Sequence, residues 1–439
     1  MKNKIIITLL LFVSIVQAQQ PKKSYSFSLK QAIEHAIQNN YSVINANRDI
    51  EAAKQKKWET TTIGLPQING TVGYQNNFKL ATNVIDFGGV PTALTFGTKH
   101  NMSSSISMTQ LIFDGSYLVG LQSAKTYLKI SENAKVKTTQ EIKEIVINSY
   151  GNVLLADETI LILKKNKIAL EKTLSDTKEI YKNGLIEEEN VEQLQITLAS
   201  INSSLENVKR QKTIANNMLK LVLGIDLQQE LMLTDKLDIL TQSNADLALL
   251  QEDFKVTNNI DYQIGQNLLT SKELLLKLEK SKALPSLGAG INYGTNTFGN
   301  SFTLFNGNQK WYSYSNLGIN LNVPIFSSFG RSSRTQQAKI TLEQSKTSLI
   351  QTEQQLKLQF ERTKSDYEFS IEQLVTSKNN LNLAERIENK NQIKFKEGLA
   401  SSFELTNAQQ QLYAAQQNYL QAMLDVINKR AGLEKLLSK

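Results

Sequence analysis

The 439-residue sequence contains no cysteine. That removes disulfides, zinc–thiolate sites, thiol catalysis and lipid attachment through an N-terminal cysteine together. Histidine is almost missing too: His35 lies in a helical pattern and His100 in an expected loop, so no catalytic pair or histidine metal site is in prospect. No glycine-rich phosphate loop, nucleophile elbow or metal-ligand spacing occurs, and the expected catalytic, cofactor and metal sets are empty. Proline appears only at positions 21, 66, 91, 285 and 324, leaving 92–284 and 325–439 without the strongest helix breaker. Beyond the N-terminus, no stretch approaches the roughly 20 uninterrupted apolar residues of a spanning helix, so any membrane contact must use strands or a surface. The net charge of +8 comes from lysines interleaved with acids along helical stretches. Such spacing marks solvated helix faces and argues against nucleic acid as a partner.

What is present begins with residues 1–18, where two lysines, an apolar run from Ile5 to Val16 and Ala18 form the pattern of a cleaved secretory signal. Long amphipathic helices follow. Val191, Leu194, Leu198, Ile201, Leu205, Val208, Lys212, Ala215, Leu219 and Val222 alternate spacings of three and four, a coiled-coil seam with one polar interruption. A second seam has Leu405, Leu412, Tyr419, Val426 and Leu433 at every seventh residue, with Ala408, Ala415 and Ala422 between them. A continuous helix over 117–182 spans roughly 100 Å at 1.5 Å per residue.

Two charge-poor islands interrupt the helices. From Ala283 to Gly330 the only charged residue is Lys310, and Thr60 to Phe113 carries only Lys79, Asp86 and Lys99. Inside them the period changes to two. Ile68, Val72, Tyr74, Phe78 and Leu80 alternate with polar residues, as do Met102, Ile106, Met108 and Ile112. The second island repeats this with Leu287, Ala289, Ile291 and Tyr293, then Leu317, Ile319, Leu321 and Val323. One such strand fits a soluble sheet; four uncharged ones, paired as two hairpins about 66–113 and 285–326, match transmembrane barrel strands. The loops Asn83–His100 and Phe298–Lys310 are expected outside the cell, with Trp311, Tyr312 and Tyr314 in an interfacial belt. Four strands cannot close a barrel and lipid does not tolerate open edges, so other chains must supply the rest, two copies or three by count. Asp114 and Arg331 mark strand-to-helix exits, the acid as a helix cap and the base near lipid headgroups.

The same plan occurs twice. "YKNGLIEEENVEQLQ" at Tyr181 returns about 214 residues later as "FKEGLASSFELTNAQQ" at Phe395. Likewise "LKQAIEHAIQNNY" is echoed by "VTNNIDY", "LPQINGTVGY" by "LPSLGAGINYG", and "LIFDGS" by "PIFSSFGR". In this order the motifs resemble the TolC family of outer-membrane efflux proteins across essentially the whole mature chain. The resemblance implies a mostly α fold with a transmembrane β part: long coiled-coil helices forming a periplasmic α-barrel, and four strands per chain in a shared 12-stranded trimeric barrel. The repeats divide the chain at 19–225 and 226–439, with 226–243 as an equatorial linker.

The implied function is a passive outer-membrane tunnel of a tripartite efflux or type I secretion system in a Gram-negative bacterium. Its partners would be two further copies in a homotrimer, a periplasmic adaptor protein, an inner-membrane transporter reached through that adaptor, and outer-membrane lipid. The rival reading is an exported coiled-coil scaffold or adhesin-like stalk without a pore. In the family, Lys182, Gly184, Leu185, Lys396, Gly398 and Leu399 fall at the periplasmic tip where adaptors dock. Glycine suits the left-handed residue ending a helix, and the lysines suit the negative end of the helix dipole. Glu187, Glu188, Glu189, Asn190 and Glu404 then lie near the pore mouth, where repeated carboxylates would favour cations. Some members close this mouth with a Tyr, an Arg and two Asp; those positions are Phe395, Ala400, Glu404 and Asn407 here, with only the acid at Glu404 retained in kind.

Overall fold

The computed structural model describes residues 24–303 and 305–438, so the expected signal segment at 1–18 lies outside the described residues. The chain forms two compact units, each drawn from both repeats. One contains the residues up to Asn47, Ala134–Gln263 and the chain from Glu353 onward; the other contains Arg48–Asn133 and Ile264–Thr352. In chain order the elements are β1 (Ser24–Phe27), α1 (Leu29–Asn39), α2 (Tyr41–Thr62), β2 (Gln67–Asn76), β3 (Thr82–Phe87), β4 (Val90–Thr95) and β5 (His100–Asp114). They continue with α3 (Gly115–Lys182), α4 (Glu188–Leu223), β6 (Glu230–Leu233), α5 (Leu237–Asn244), α6 (Ile260–Ser281), β7 (Ser286–Gly299), β8 (Tyr312–Asn322), α7 (Gly330–Lys396) and α8 (Ser402–Leu436).

Within the first unit the expected seams are buried. On α4, Val191, Leu194, Ile201, Leu205 and Leu219 are buried, and the polar interruption Lys212 pairs with Asp157 at 2.5 Å. On α8, Leu405, Leu412, Val426 and Leu433 are buried with Ala408 and Ala422 between them. Among the described residues, α3 contains the one stretch apolar enough to cross a membrane by length and composition. Since 44% of that stretch is buried inside the structure, packing accounts for much of its apolarity.

The equatorial linker segment carries secondary structure of its own. β6 pairs in parallel with β1, Tyr25 opposite Leu231, and α5 follows. Two buried tyrosines hold it. The Tyr150 hydroxyl on α3 lies 3.0 Å from the Phe27 carbonyl and 3.1 Å from the Asp235 carboxylate, whose Oδ2 also accepts from Leu29 N at 2.7 Å. On α7 the Tyr367 hydroxyl sits 2.6 Å from the Asn244 carbonyl and 2.9 Å from that of Asp246. Burial raises the pKa of both phenols, which keeps each hydroxyl protonated and able to donate. Ser28 starts α1 with a capping box to Gln31.

In the second unit the two expected hairpins fuse into one antiparallel sheet, ordered β2-β5-β7-β8. Its registers align residues by kind. Ile68, Met108, Ile291 and Leu317 form one row across the four strands, and the neighbouring row on the other face is Asn69, Ser107, Asn292 and Asn316. Side chains alternate between faces, so one face is apolar and the other polar. The apolar face is bare: Ile68, Val72, Ile106, Leu317, Ile319 and Leu321 are all exposed. β2 and β8 are the sheet's edges.

Several details differ from the sequence reading. The loop expected over Asn83–His100 contains the β3–β4 hairpin, turning at Gly88 and Gly89 with φ of 65° and 93°, and His100 begins β5. Two successive positive φ values define the hairpin turn that glycine permits. Phe78 and Leu80 lie beyond the end of β2. Tyr312 and Tyr314 share the face of Asn316, not that of Leu317, so they are not belt residues on the apolar side. Asp114 caps α3 as expected, accepting from Tyr117 N at 3.0 Å, and Arg331 donates to the Pro324 and Ile325 carbonyls at 2.9 and 3.3 Å.

Candidate functional site: two matched helix turns

The Gly-Leu turns are the same object built twice. Where α3 ends, Gly184 has φ of 74°, its N–H donates to the Tyr181 carbonyl at 2.8 Å, and Leu185 N–H reaches the Ile180 carbonyl at 3.3 Å. Where α7 ends, Gly398 has φ of 71°, with the matching bonds from Gly398 to Phe395 at 3.1 Å and from Leu399 to Lys394 at 2.8 Å. This pair of bonds is the Schellman arrangement, which occupies carbonyls that the helix end leaves open. Lys182 stands in the last turn of α3, paired with Glu179 at 2.6 Å, and Lys394 and Lys396 in that of α7.

A third copy of the turn supplies a control. α4 ends at Gly224 with φ of 72°, and Ile225 N–H bonds the Lys220 carbonyl at 2.9 Å. The apolar residue after that glycine, Ile225, is 5% exposed, whereas Leu185 and Leu399 are 74% and 78% exposed. An apolar residue at this position normally packs back on its helix. At the two matched turns it faces outward instead.

One side chain ties the turns together. Asn190 Oδ1, at the start of α4, accepts from the backbone N–H of the buried Ser402 at the start of α8, at 3.2 Å. Phe395 is half-buried against Leu170, Leu174, Val191, Leu194 and Ile201 of the first hairpin, and Tyr413 joins it there. Asn407 is exposed. The acids divide. Glu187, Glu188 and Glu189 are exposed, Glu187 standing at the N-cap of α4 without a side-chain cap bond. Glu404 is engaged in a capping box: its Oε2 accepts from Ser401 N at 2.8 Å while Ser401 Oγ accepts from Glu404 N at 3.2 Å. Its carboxylate serves the helix start.

Sequence reasoning passed over three residues beside these turns. Glu388 on α7 is half-buried, and burial raises its carboxyl pKa. Tyr413 on α8 is pushed up to about 12 by burial and by the nearby Glu388 charge. Ser402 is the bridge's donor. A cavity of about 520 Å³ adjoins Tyr413 between α3, α4 and α8, lined by Gln193, Asn207, Gln211, Gln410 and Gln417 with no charged side chain. The amide-rich run from Gln409 to Gln417 was its only sequence signal.

Against known proteins, residues 32–225 and 274–439 match the family described as outer membrane efflux protein, most of the chain. The chain belongs to that family. Outer membrane protein TolC of Vibrio cholerae is 23% identical over 334 residues, which is 75% of this chain and 72% of that protein. The solved structure of CusC aligns with a TM-score of 0.75 at 17% identity, over 96% of this chain and 95% of that one. The Campylobacter jejuni CmeC outer membrane channel gives 0.73 at 17% identity, over 96% and 90%. As an outer-membrane efflux protein the chain combines a helical tunnel part with a transmembrane β part. The sheet with one bare apolar face is the part that meets the membrane.

Proposed function

We propose that three copies of this chain close one 12-stranded barrel and act as the passive outer-membrane duct of a tripartite efflux or type I secretion assembly. The observation that carries this reading is the four-stranded sheet with an exposed apolar face, an amide- and hydroxyl-rich face, and open edges at β2 and β8. Each unpaired backbone group in hydrocarbon costs several kcal/mol, so the edges require partners, and neighbouring copies offer the same two edges. A pore-less stalk explains the coiled coils but gives the two-faced sheet no role.

At the helical end, the exposed Leu185 and Leu399, with Lys182 and Lys396 beside them, form the docking surface for a periplasmic adaptor, through which an inner-membrane transporter supplies energy and selectivity. No catalytic step is required of the duct. Glu187, Glu188 and Glu189, repeated by the copies, line the mouth and favour cations. Glu404, exposed at the start of α8 with its carboxylate hydrogen-bonded to Ser401, adds a single charge to the same field.

Purified protein in planar bilayers tests this directly. The duct reading expects discrete conductance steps with cation preference, reduced most by the Glu187→Gln, Glu188→Gln, Glu189→Gln triple change, which removes three charges per chain, and less by Glu404→Gln, which removes one. Absence of any step from correctly inserted protein would remove the pore.

A further inference from the structure

On β7 and β8 the apolar run of this face stops short of the loop end, and the β7–β8 loop covers the gap. On β7 the residues of that face run Leu287, Ala289, Ile291, Tyr293 and then change to Thr295 and Thr297; on β8 they run Leu321, Ile319, Leu317 and then Ser315 and Ser313. Leu287 to Tyr293 covers roughly 20 Å of strand, which a 35–45° tilt reduces to about 15 Å along the membrane normal. An outer-membrane barrel presents an apolar band of about 25 Å. On β2 and β5 the apolar side chains of the same face extend out to Tyr74 and Met102, so the gap is confined to the loop end of β7 and β8.

There the chain folds back over the same face. Thr297 is fully buried, its Oγ1 donating to the Lys310 carbonyl at 2.9 Å and accepting from Gln309 Nε2 at 2.6 Å. Phe302 stands edge-on to Tyr74 and to His100, each at 5.7 Å between ring centroids, and Phe305 lies 6.1 Å beyond it. Tyr74 and His100 occupy the apolar face by register, stacked at 6.2 Å with the phenol and His100 Nδ1 2.8 Å apart. Phe302 and Phe305 remain 60% and 75% exposed although they are packed in a ring cluster. Two phenylalanines held on a hydroxyl-rich stretch of the face supply the apolar surface that Ser104, Thr295 and Ser313 do not. The tyrosine's polar tip, already hydrogen-bonded, suits the boundary where the headgroups begin.

Taking the sheet to be membrane-inserted, as the duct reading requires, we infer that Phe302 and Phe305 are the outer-leaflet anchor of this protein. They extend the strand-borne band by about two residue rows and fix its depth in the lipid interface. The partner is the acyl–headgroup boundary of the outer leaflet.

Because the natural chain has no cysteine, single-site labelling is clean. Full-length Phe305→Cys, Leu317→Cys and Asn316→Cys, each carrying an environment-sensitive nitrobenzoxadiazole label, are reconstituted in phosphatidylcholine vesicles holding shallow or deep spin-labelled lipid. The label at 305 is expected to lose more emission to the shallow quencher than to the deep one and to resist aqueous iodide. That at 317 is expected to respond to the deep quencher, and that at 316 to iodide alone. If 305 is quenched by iodide and not by lipid, the loop stands in water and the inference fails. If neither quencher reaches it, a neighbouring copy covers it and the inference fails equally. Loss of lipid quenching at 317 would instead remove the membrane sheet itself.

Discussion

The two helical hairpins, α3–α4 and α7–α8, share a turn but not an interior. Taking the roughly 214-residue repeat as a ruler, Leu170 corresponds to Ala384, Leu174 to Glu388, Leu194 to Ala408 and Ile201 to Ala415. The first hairpin thus has a cluster of large side chains where the second has alanines and a carboxyl group. Among the described residues, buried side-chain atoms without a hydrogen-bond partner occur in both, including Asn148 Oδ1 and Asn216 Oδ1 in the first and Thr406 Oγ1 and Gln409 Oε1 in the second, so the apolar positions carry the contrast. The second hairpin leans on the first through Phe395, Tyr413 and the Ser402–Asn190 bond. Regions with less apolar burial open first in local unfolding. Identical turns on unequal cores predict that the second hairpin opens first near its turn.

The largest expected effect comes from removing the better core. Leu194 is fully buried, and Leu194→Ala is expected to cost about 2–5 kcal/mol, read as loss of thermal stability. Hydrogen exchange followed by mass spectrometry checks the comparison itself: the second hairpin should exchange faster in the natural chain, and the substitution should erase the difference. Next is the bridge. Asn190→Ala strands the buried Ser402 N–H and is expected to cost about 1–3 kcal/mol, with faster exchange at the start of α8.

A smaller contrast lies in the caps. Ser401→Ala is expected to cost about 1 kcal/mol, while Glu187→Ser, which supplies α4 with the cap it lacks, should gain about as much in the same melting assay. Smallest is the pH response. Burial raises the Glu388 pKa above its unfolded value, so the unfolded chain gives up this proton first. The second hairpin is therefore firmest below the ordinary Glu range and loosens as pH climbs through it toward the raised value. Exchange in α8 measured across that window should show the trend, and Glu388→Gln should flatten it.

Much of this was legible because it is local. The 3–4 spacing of the seams, the period of two in the islands and the glycine at each helix end follow from backbone geometry within a few residues. The capping box was legible too: Ser401 and Glu404 have the required spacing. So was the face of Tyr312 and Tyr314, since their even numbers oppose the odd-numbered apolar positions of β8. What sequence could not disclose is contact over distance. Asn190 meets Ser402 across 212 residues, Tyr150 holds Asp235 across 85, and the β7–β8 loop folds over Thr297 and Tyr74. No periodicity encodes those meetings; they arise from tertiary packing.

The most direct test of the account is the native mass of the protein extracted by detergent from outer membranes, with detergent and lipid subtracted. The shared-barrel account predicts a particle of three chains that requires detergent for release. A monomer released without detergent would contradict it, returning the sheet's open edges to water and leaving the duct without a wall.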